Sequence, residues 1–324
     1  MAPQKIIIDT DPGIDDTMAI FFALSSPELD VIGLTTVFGN VHVPLATQNA
    51  LRLLEIAGRT DIPVAQGAAD SLVGDYDHPP AYIHGADGQG DVNLPPPTTR
   101  AIDQTAAAFI VEQVMRHPGE IILVPIGPLT NIALALRLEP RIAQNVKRVV
   151  LMGGNALVPG NASPAAEANI IDDPEAADVV FGAGWPLTMV GLDVTTRAHM
   201  NADHLARYAR SSNPLAQHIA RIVPLYRSFA HSVSGVDGIY VHDSTTIAYL
   251  LDPSAFKTQS WPVRGETQGF SRGKTWPYQR PSKHAVAFHN RPPVDVCVEI
   301  DSARTIELEL SRVARLSANT LRLF

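Results

Sequence analysis

Cysteine is nearly absent from this sequence: Cys297 stands alone. One thiol excludes an intrachain disulfide framework and suits a reducing, cytoplasmic setting. It lies in the alternating stretch VDVCVEI, so it is expected to fill a small core position rather than act as a nucleophile. Basic runs are missing too. Lysine and arginine total 25 against 33 aspartates and glutamates, a formal net charge of −8, which makes nucleic acid an unsuitable partner. No apolar stretch reaches the roughly 18 residues that a membrane span needs. The N-terminal MAPQKIIIDTD passes from a short apolar run straight into acid, unlike a signal peptide. In that setting the sequon Asn161-Ala162-Ser163 carries little meaning as a glycosylation site. No internal repeat, low-complexity tract or interdomain linker stands out, so one domain is expected over residues 1–324.

What is present is a rhythm. The apolar runs KIIID, DVIGLTTVFGN, IPVAQG, EIILVPIG, VKRVVLMGG and PLTMVGLDV read as strands. Between them DDTMAIFFALSS, PLATQNALRLLEIAG, TAAAFIVEQVMRH, LTNIALALRL and DPEAADVVFG read as helices. The alternation predicts an α/β fold: a mostly parallel, Rossmann-like open sheet with helices on both faces. Ligands of such sheets bind beyond the carboxyl ends of the strands. Those ends here are polar or glycine-rich: Asp9 and Asp11, Gly39-Asn40, Gly127, Gly153-Gly154-Asn155 and Asp193. Two stretches, 70–100 and 228–241, read as long loops that border a site. A third irregular stretch, 262–292, is rich in Pro, Arg and Lys and is assigned no role.

The segment DTDPGIDD places Asp9, Asp11, Asp15 and Asp16 at the end of the first strand. Helix capping accounts for Asp15 and Asp16, which lie near a helix start, but not for Asp9 and Asp11. Carboxylates gathered in a partly buried site need a cation, or some become neutral. A hard divalent ion suits them: Ca2+ with its flexible oxygen shell, or Mg2+ with a stricter octahedral one. Zn2+ lacks a His/Cys spacing here. Farther along, GNASPAAEANIIDDPEAA brings Asn161, Glu167 and Asn169 into one loop, hydrogen-bonding types suited to sugar hydroxyls. YVHDSTTIAYL sets His242-Asp243 before an apolar run; alone, Asp243 is a good N-cap and His242 an ordinary structural histidine.

DTDPGIDD, TTVFGN, VPIGPLTNIA, RVVLMGGN, GNASPAAEANIIDDPEAA, MVGLDVT and VHDSTTIAYLLDP together resemble the nucleoside hydrolases of the inosine–uridine-preferring type, in that family's order. The resemblance covers residues 5–255 and continues more loosely to the end. It implies hydrolysis of a ribonucleoside to ribose and free base. It also implies Ca2+ held by Asp11, Asp16, Asp243 and the Ile126 carbonyl, with Asp9 supporting the site from behind. Asp11 would serve as general base, and His242 as general acid toward the leaving base. Asp15, Asn40, Asn161, Glu167 and Asn169 would hold the ribose, with His84 near the substrate. Tyr226, Phe229, His231 and Tyr240 are the candidates for the base side. Ala230 stands where protozoan-type members carry a second tyrosine. Members of the family are commonly homodimers or homotetramers. An apolar strand followed by D-x-D also opens phosphatases of the haloacid-dehalogenase type, but Gly13 stands where those carry Thr or Val. A modified nucleoside or nicotinamide riboside as substrate, or a non-catalytic nucleoside sensor, are the other readings the residues leave open.

Overall fold

The structure is a computed structural model that describes residues 2–280 and 284–315. The apolar runs form eleven strands: β1 (Gln4–Thr10), β2 (Leu29–Thr36), β3 (Val64–Gln66), β4 (Ile122–Pro125), β5 (Arg148–Met152), β6 (Leu187–Val190), β7 (His199–Asn201), β8 (Gly238–Tyr240), β9 (Phe256–Gly265), β10 (Thr275–Pro277) and β11 (Pro293–Ile300). Nine of them make one sheet in the order β10-β9-β11-β6-β5-β4-β1-β2-β3; β7 and β8 form a separate antiparallel pair. The pairs from β3 across to β11 are parallel, and β9 adds antiparallel to β11.

Side chains alternate across a strand, so a sheet covered on both faces needs apolar residues at every position. β1 meets that demand. Ile6 and Ile8 enter one core with helices Ile14–Leu24, Val43–Ile56 and His242–Leu251. Ile7 enters the opposite core with helices Ala106–Arg116, Thr130–Leu138 and Pro174–Phe181. Cys297 is fully buried in β11, and burial pushes its thiol up to about 12, as expected of a packing residue. No helix of the described residues is long and apolar enough to cross a membrane.

Two sequence expectations change. Stretch 228–241 is not a loop throughout, because helix Pro214–Ser234 runs through its first half. Its serines, which favour turns, are absorbed into the helix: Ser228 Oγ donates to Pro224 O at 2.9 Å and Ser234 Oγ to Ala230 O at 2.7 Å. The helix stops only at Gly235, whose φ of 69° is left-handed. Stretch 262–292 is partly ordered sheet, holding the end of β9 and all of β10; its residues 281–283 lie outside the described residues. Stretch 70–100 is irregular apart from the single turn Ala81–His84, as read.

Candidate active site

β1 is central in the sheet, and register places Asp9 beside Thr35 of β2 and Pro125 of β4. Its last residues therefore emerge where neighbouring strands end. Asp9 is buried, and its Oδ1 accepts from Thr35 Oγ1 and from Asn131 Nδ2 at 2.8 Å. The chain then turns through Pro12-Gly13 into helix Ile14–Leu24. Asp16 closes the start of that helix: Oδ1 accepts from Thr10 Oγ1 at 2.6 Å, and Oδ2 from Gly13 N at 3.0 Å and Asn40 Nδ2 at 2.8 Å. Asp11 is wedged between two glycines. A Cβ on Gly39 would stand 2.0 Å from its Oδ2, and one on Gly127 2.5 Å from its Oδ1. Only glycine lets those two backbones approach the carboxylate so closely.

Asp15, Asp16 and Asp243 gather most tightly, with one carboxylate oxygen of each within 4.8 Å of the others. Asp243 reaches them from the first turn of helix His242–Leu251. Burial, then the Asp16 charge, drives the Asp11 carboxyl well up and raises Asp15 to about 8. Burial, then the charges of Asp15, Asp16 and Asp11, lifts Asp243. Asp11 Oδ1 and Asp9 Oδ2 are buried without a hydrogen-bond partner. Two orphaned oxygens beside three converging carboxylates fit a bound cation, since unpaired buried acceptors are costly. The Ile126 carbonyl accepts from Asn169 Nδ2 at 3.0 Å, which leaves it a second lone pair.

Glu167 caps helix Ala168–Asp172, accepting from Gly154 N at 2.8 Å and Asn169 N at 2.9 Å. Burial raises it to about 7 despite those donors. Asn161 accepts from Ala168 N at 3.1 Å, which ties its loop to the same turn. On the other wall His84 is stacked on Tyr226 with ring centres 5.7 Å apart. Its Nδ1 accepts from Ile14 N at 3.1 Å, so Nε2 carries the ring proton. His242 Nδ1 lies 2.8 Å from Thr195 Oγ1, and burial lowers the imidazole to about 4. Burial, then His242, lowers His84 to about 3.

These groups border one cleft of about 400 Å3. Of the residues singled out in the sequence, Asp11, Asp15, Asn40, His84, Ile126, Asn161, Glu167, Asn169, Tyr226, His242 and Asp243 line it. Asp16 sits behind them, both its oxygens engaged. Phe229 and Tyr240 join the lining; His231 does not, facing instead a separate groove with Leu205 and Arg227. It falls on the far side of the helix because it is one residue past Ala230, which faces the cleft. Sequence reasoning missed Tyr76 and Asp172. Tyr76 donates to Gly39 O at 2.7 Å and packs on Phe38. Its only sequence signal was an aromatic residue inside a polar loop. Among the described residues, no lysine or arginine lines the cleft.

A family model described as inosine-uridine preferring nucleoside hydrolase matches residues 6–307. A probable uridine nucleosidase 2 of Arabidopsis thaliana is 46% identical, covering 96% of this chain and 97% of that one. An inosine-uridine preferring nucleoside hydrolase of Leishmania major is 42% identical over 82% of this chain and 85% of its own. The solved structure of a plant nucleoside hydrolase superposes with a TM-score of 0.92 at 40% identity, covering 96% of this chain and 99% of that one.

Proposed function

The chain belongs to the inosine-uridine preferring nucleoside hydrolase family, whose members hydrolyse N-glycosyl bonds, and from that premise we propose a Ca2+-dependent ribonucleoside hydrolase acting on both uridine and inosine. The observation that carries the proposal is the acid-lined cleft at the end of β1, with the orphaned Asp11 oxygen in its wall, that of Asp9 buried at the same strand end, and no cationic side chain among the described residues that line it. Donors to the ion would be Asp11, Asp16, Asp243 and the Ile126 carbonyl, as the family resemblance implies, and Asp15 could join Asp16 and Asp243, whose carboxylate oxygens lie within 4.8 Å of its own. An all-oxygen set suits a hard divalent ion, and Ca2+ tolerates an irregular oxygen shell that Mg2+ does not. When bound, such an ion lowers the pKa of a water and orients a sugar diol.

The chain's own groups do the rest. Asp11, fixed between Gly39 and Gly127, takes a proton from the attacking water. Water oxygen bonds to C1′ as the C1′–N bond breaks and its electron pair leaves with the base. Positive charge gathers on the sugar, as in glycoside hydrolysis. Asp15, Asn40, Asn161, Glu167 and Asn169 hold the ribose hydroxyls and stabilise that charge. His84, Tyr226, Phe229 and Tyr240 wall the base. His242 faces the leaving base. Burial keeps its ring neutral at neutral pH, so it assists there by hydrogen bonding, and full proton transfer grows as the pH falls toward 4.

Hydrolysis of uridine, inosine, cytidine, adenosine, guanosine and their 2′-deoxy analogues, followed as reducing sugar with and without a chelator, tests the reading. Chelator-sensitive release from uridine and inosine is expected. No release from protein shown to hold Ca2+ would transfer the reading to a modified nucleoside or to binding without catalysis. A single domain is supported by the sheet that joins β1 to β11. A cytoplasmic setting is supported by the lone cysteine, and a homodimer or homotetramer by the family resemblance.

A further inference from the structure

Gln89 is a buried polar side chain that the roles above leave out. It lies in the irregular stretch 70–100, yet it is only 1% exposed. A buried amide is costly unless its groups are paired, and these are. Nε2 shares its protons among Gly13 O at 3.1 Å, Gly88 O at 3.0 Å, Thr17 Oγ1 at 3.0 Å and Pro12 O at 3.4 Å. Carbonyls cannot donate, so the amide nitrogen must face them. The oxygen then faces His218, whose Nε2 lies 3.1 Å from Oε1. His218 sits on helix Pro214–Ser234 and is buried. Burial, then the Arg221 charge, lowers its ring to about 4, so the neutral imidazole donates from Nε2.

The Gly13–Ile14 peptide group is held from both ends. Gln89 donates to its carbonyl, and His84 accepts from its N–H at 3.1 Å. One loop, residues 84–91, thus grips the peptide that opens helix Ile14–Leu24, directly ahead of Asp15 and Asp16. The same loop is seated twice on helix Pro214–Ser234, through His84 on Tyr226 and Gln89 on His218. Gly90 permits that seat, since a Cβ there would stand 2.5 Å from Ile222 O. Carboxylates crowded on one turn repel each other, so their backbone has to be fixed from outside. On the proposed reading, on which this inference rests, Asp16 is a ligand of the ion and Asp15 holds the ribose. We infer that Gln89, tied to His218, is a positioning residue that fixes the Gly13–Ile14 peptide and so aims Asp15 and Asp16 at the cation and the sugar.

The test measures Ca2+ binding by calorimetry, and uridine hydrolysis beside it, for wild type, Gln89→Leu, His218→Leu and the double variant. Without Gln89, Gly13 O keeps Thr17 N at 3.2 Å and Pro12 O keeps Asn49 Nδ2 at 3.2 Å, so Gln89→Leu should still fold and melt cooperatively. Losing the bonds that fix the turn should weaken the Kd for Ca2+ by about 3- to 30-fold. At limiting Ca2+, kcat/KM for uridine should fall in step, and saturating Ca2+ should recover much of it. His218→Leu removes only the tether on Oε1 and should cost about three- to fivefold in Kd. The double variant should bind no worse than Gln89→Leu, because His218 acts through Gln89. Should Gln89→Leu fail to fold, His218→Leu decides by the same measurement. A Kd within about twofold of wild type in the folded variant, with only the melting temperature lowered, overturns the inference while leaving the proposed function standing. Wild type that binds no Ca2+ sinks the Ca2+-dependent reading itself, and this inference with it.

Discussion

At the residue scale the cleft separates acids that hold from an acid free to react. Asp16 has three donors on its two oxygens, whereas Asp11 has one oxygen on Asn40 N and the other bare. Asp11→Asn keeps the shape between Gly39 and Gly127 and removes the proposed base, so turnover of uridine or inosine should fall by about 100- to 10,000-fold with an unchanged circular-dichroism spectrum. Near-normal turnover would remove Asp11 from the role. His242→Ala should cost more on inosine than on p-nitrophenyl riboside, whose leaving group needs no proton, by about tenfold or more. Because burial holds His242 near 4, the wild-type ratio of inosine to aryl-riboside activity should climb as pH is lowered from 7 to 5. A flat ratio, or equal losses in the variant, would reduce His242 to a wall of the site. Asp11 stood out in the sequence because charge gathered at a strand end that helix capping did not explain, whereas His242 looked ordinary by itself and was singled out by the family resemblance. Tyr76 and Asp172 were not, since an aromatic in a polar loop and an acid beside a helix-capping acid look ordinary until the chain folds around them.

At the element scale the unassigned stretch 262–292 acquires a place. Lys274, nearly buried, donates to Asn155 O at 2.6 Å and Val158 O at 3.2 Å, and Thr275 Oγ1 accepts from Asn155 N at 2.7 Å. Arg272 pairs with Glu175 at 2.6 Å, gripping the helix that follows Asp173. This hairpin therefore braces both ends of the loop that carries Asn161, Glu167 and Asn169. Lys274→Met leaves two carbonyls without their cationic donor, a cost of about 1–3 kcal/mol. The variant should melt several degrees lower, and KM for uridine should rise several-fold with kcat less affected. A lower melting point with KM untouched would make the brace purely structural. Such contacts join residues more than a hundred positions apart. Strand rhythm is local and could be read from the sequence; bracing across the sheet is not. The extent of helix Pro214–Ser234 escaped for a related reason, because serine and histidine near its end carry turn propensity that burial of Tyr226 and Ala230 overrides.

At the scale of the whole molecule, the fold stores negative charge in its interior, and that couples stability to pH and to cations. Burial raises Asp9 and Glu167 to about 7 and Asp15 to about 8. In the unfolded chain the same groups titrate near 4. Between those values the folded, cation-free protein binds more protons than the unfolded one. Its stability is therefore greatest below about pH 4 as far as these groups decide, and it drains away as the pH rises through 7 to 8. A cation reverses the slope. It binds the deprotonated carboxylates, so its affinity and the stabilisation it gives both grow with pH. Chelated protein should melt lower at pH 8 than at pH 5, and saturating Ca2+ should raise the melting temperature more at pH 8 than at pH 5. Mg2+ at the same concentration should do less, because its small octahedral shell suits this wide carboxylate set poorly. If chelated protein melts equally at both pH values and Ca2+ shifts neither, the acids are held by proton sharing and hydrogen bonds alone, and the cleft is not a metal centre.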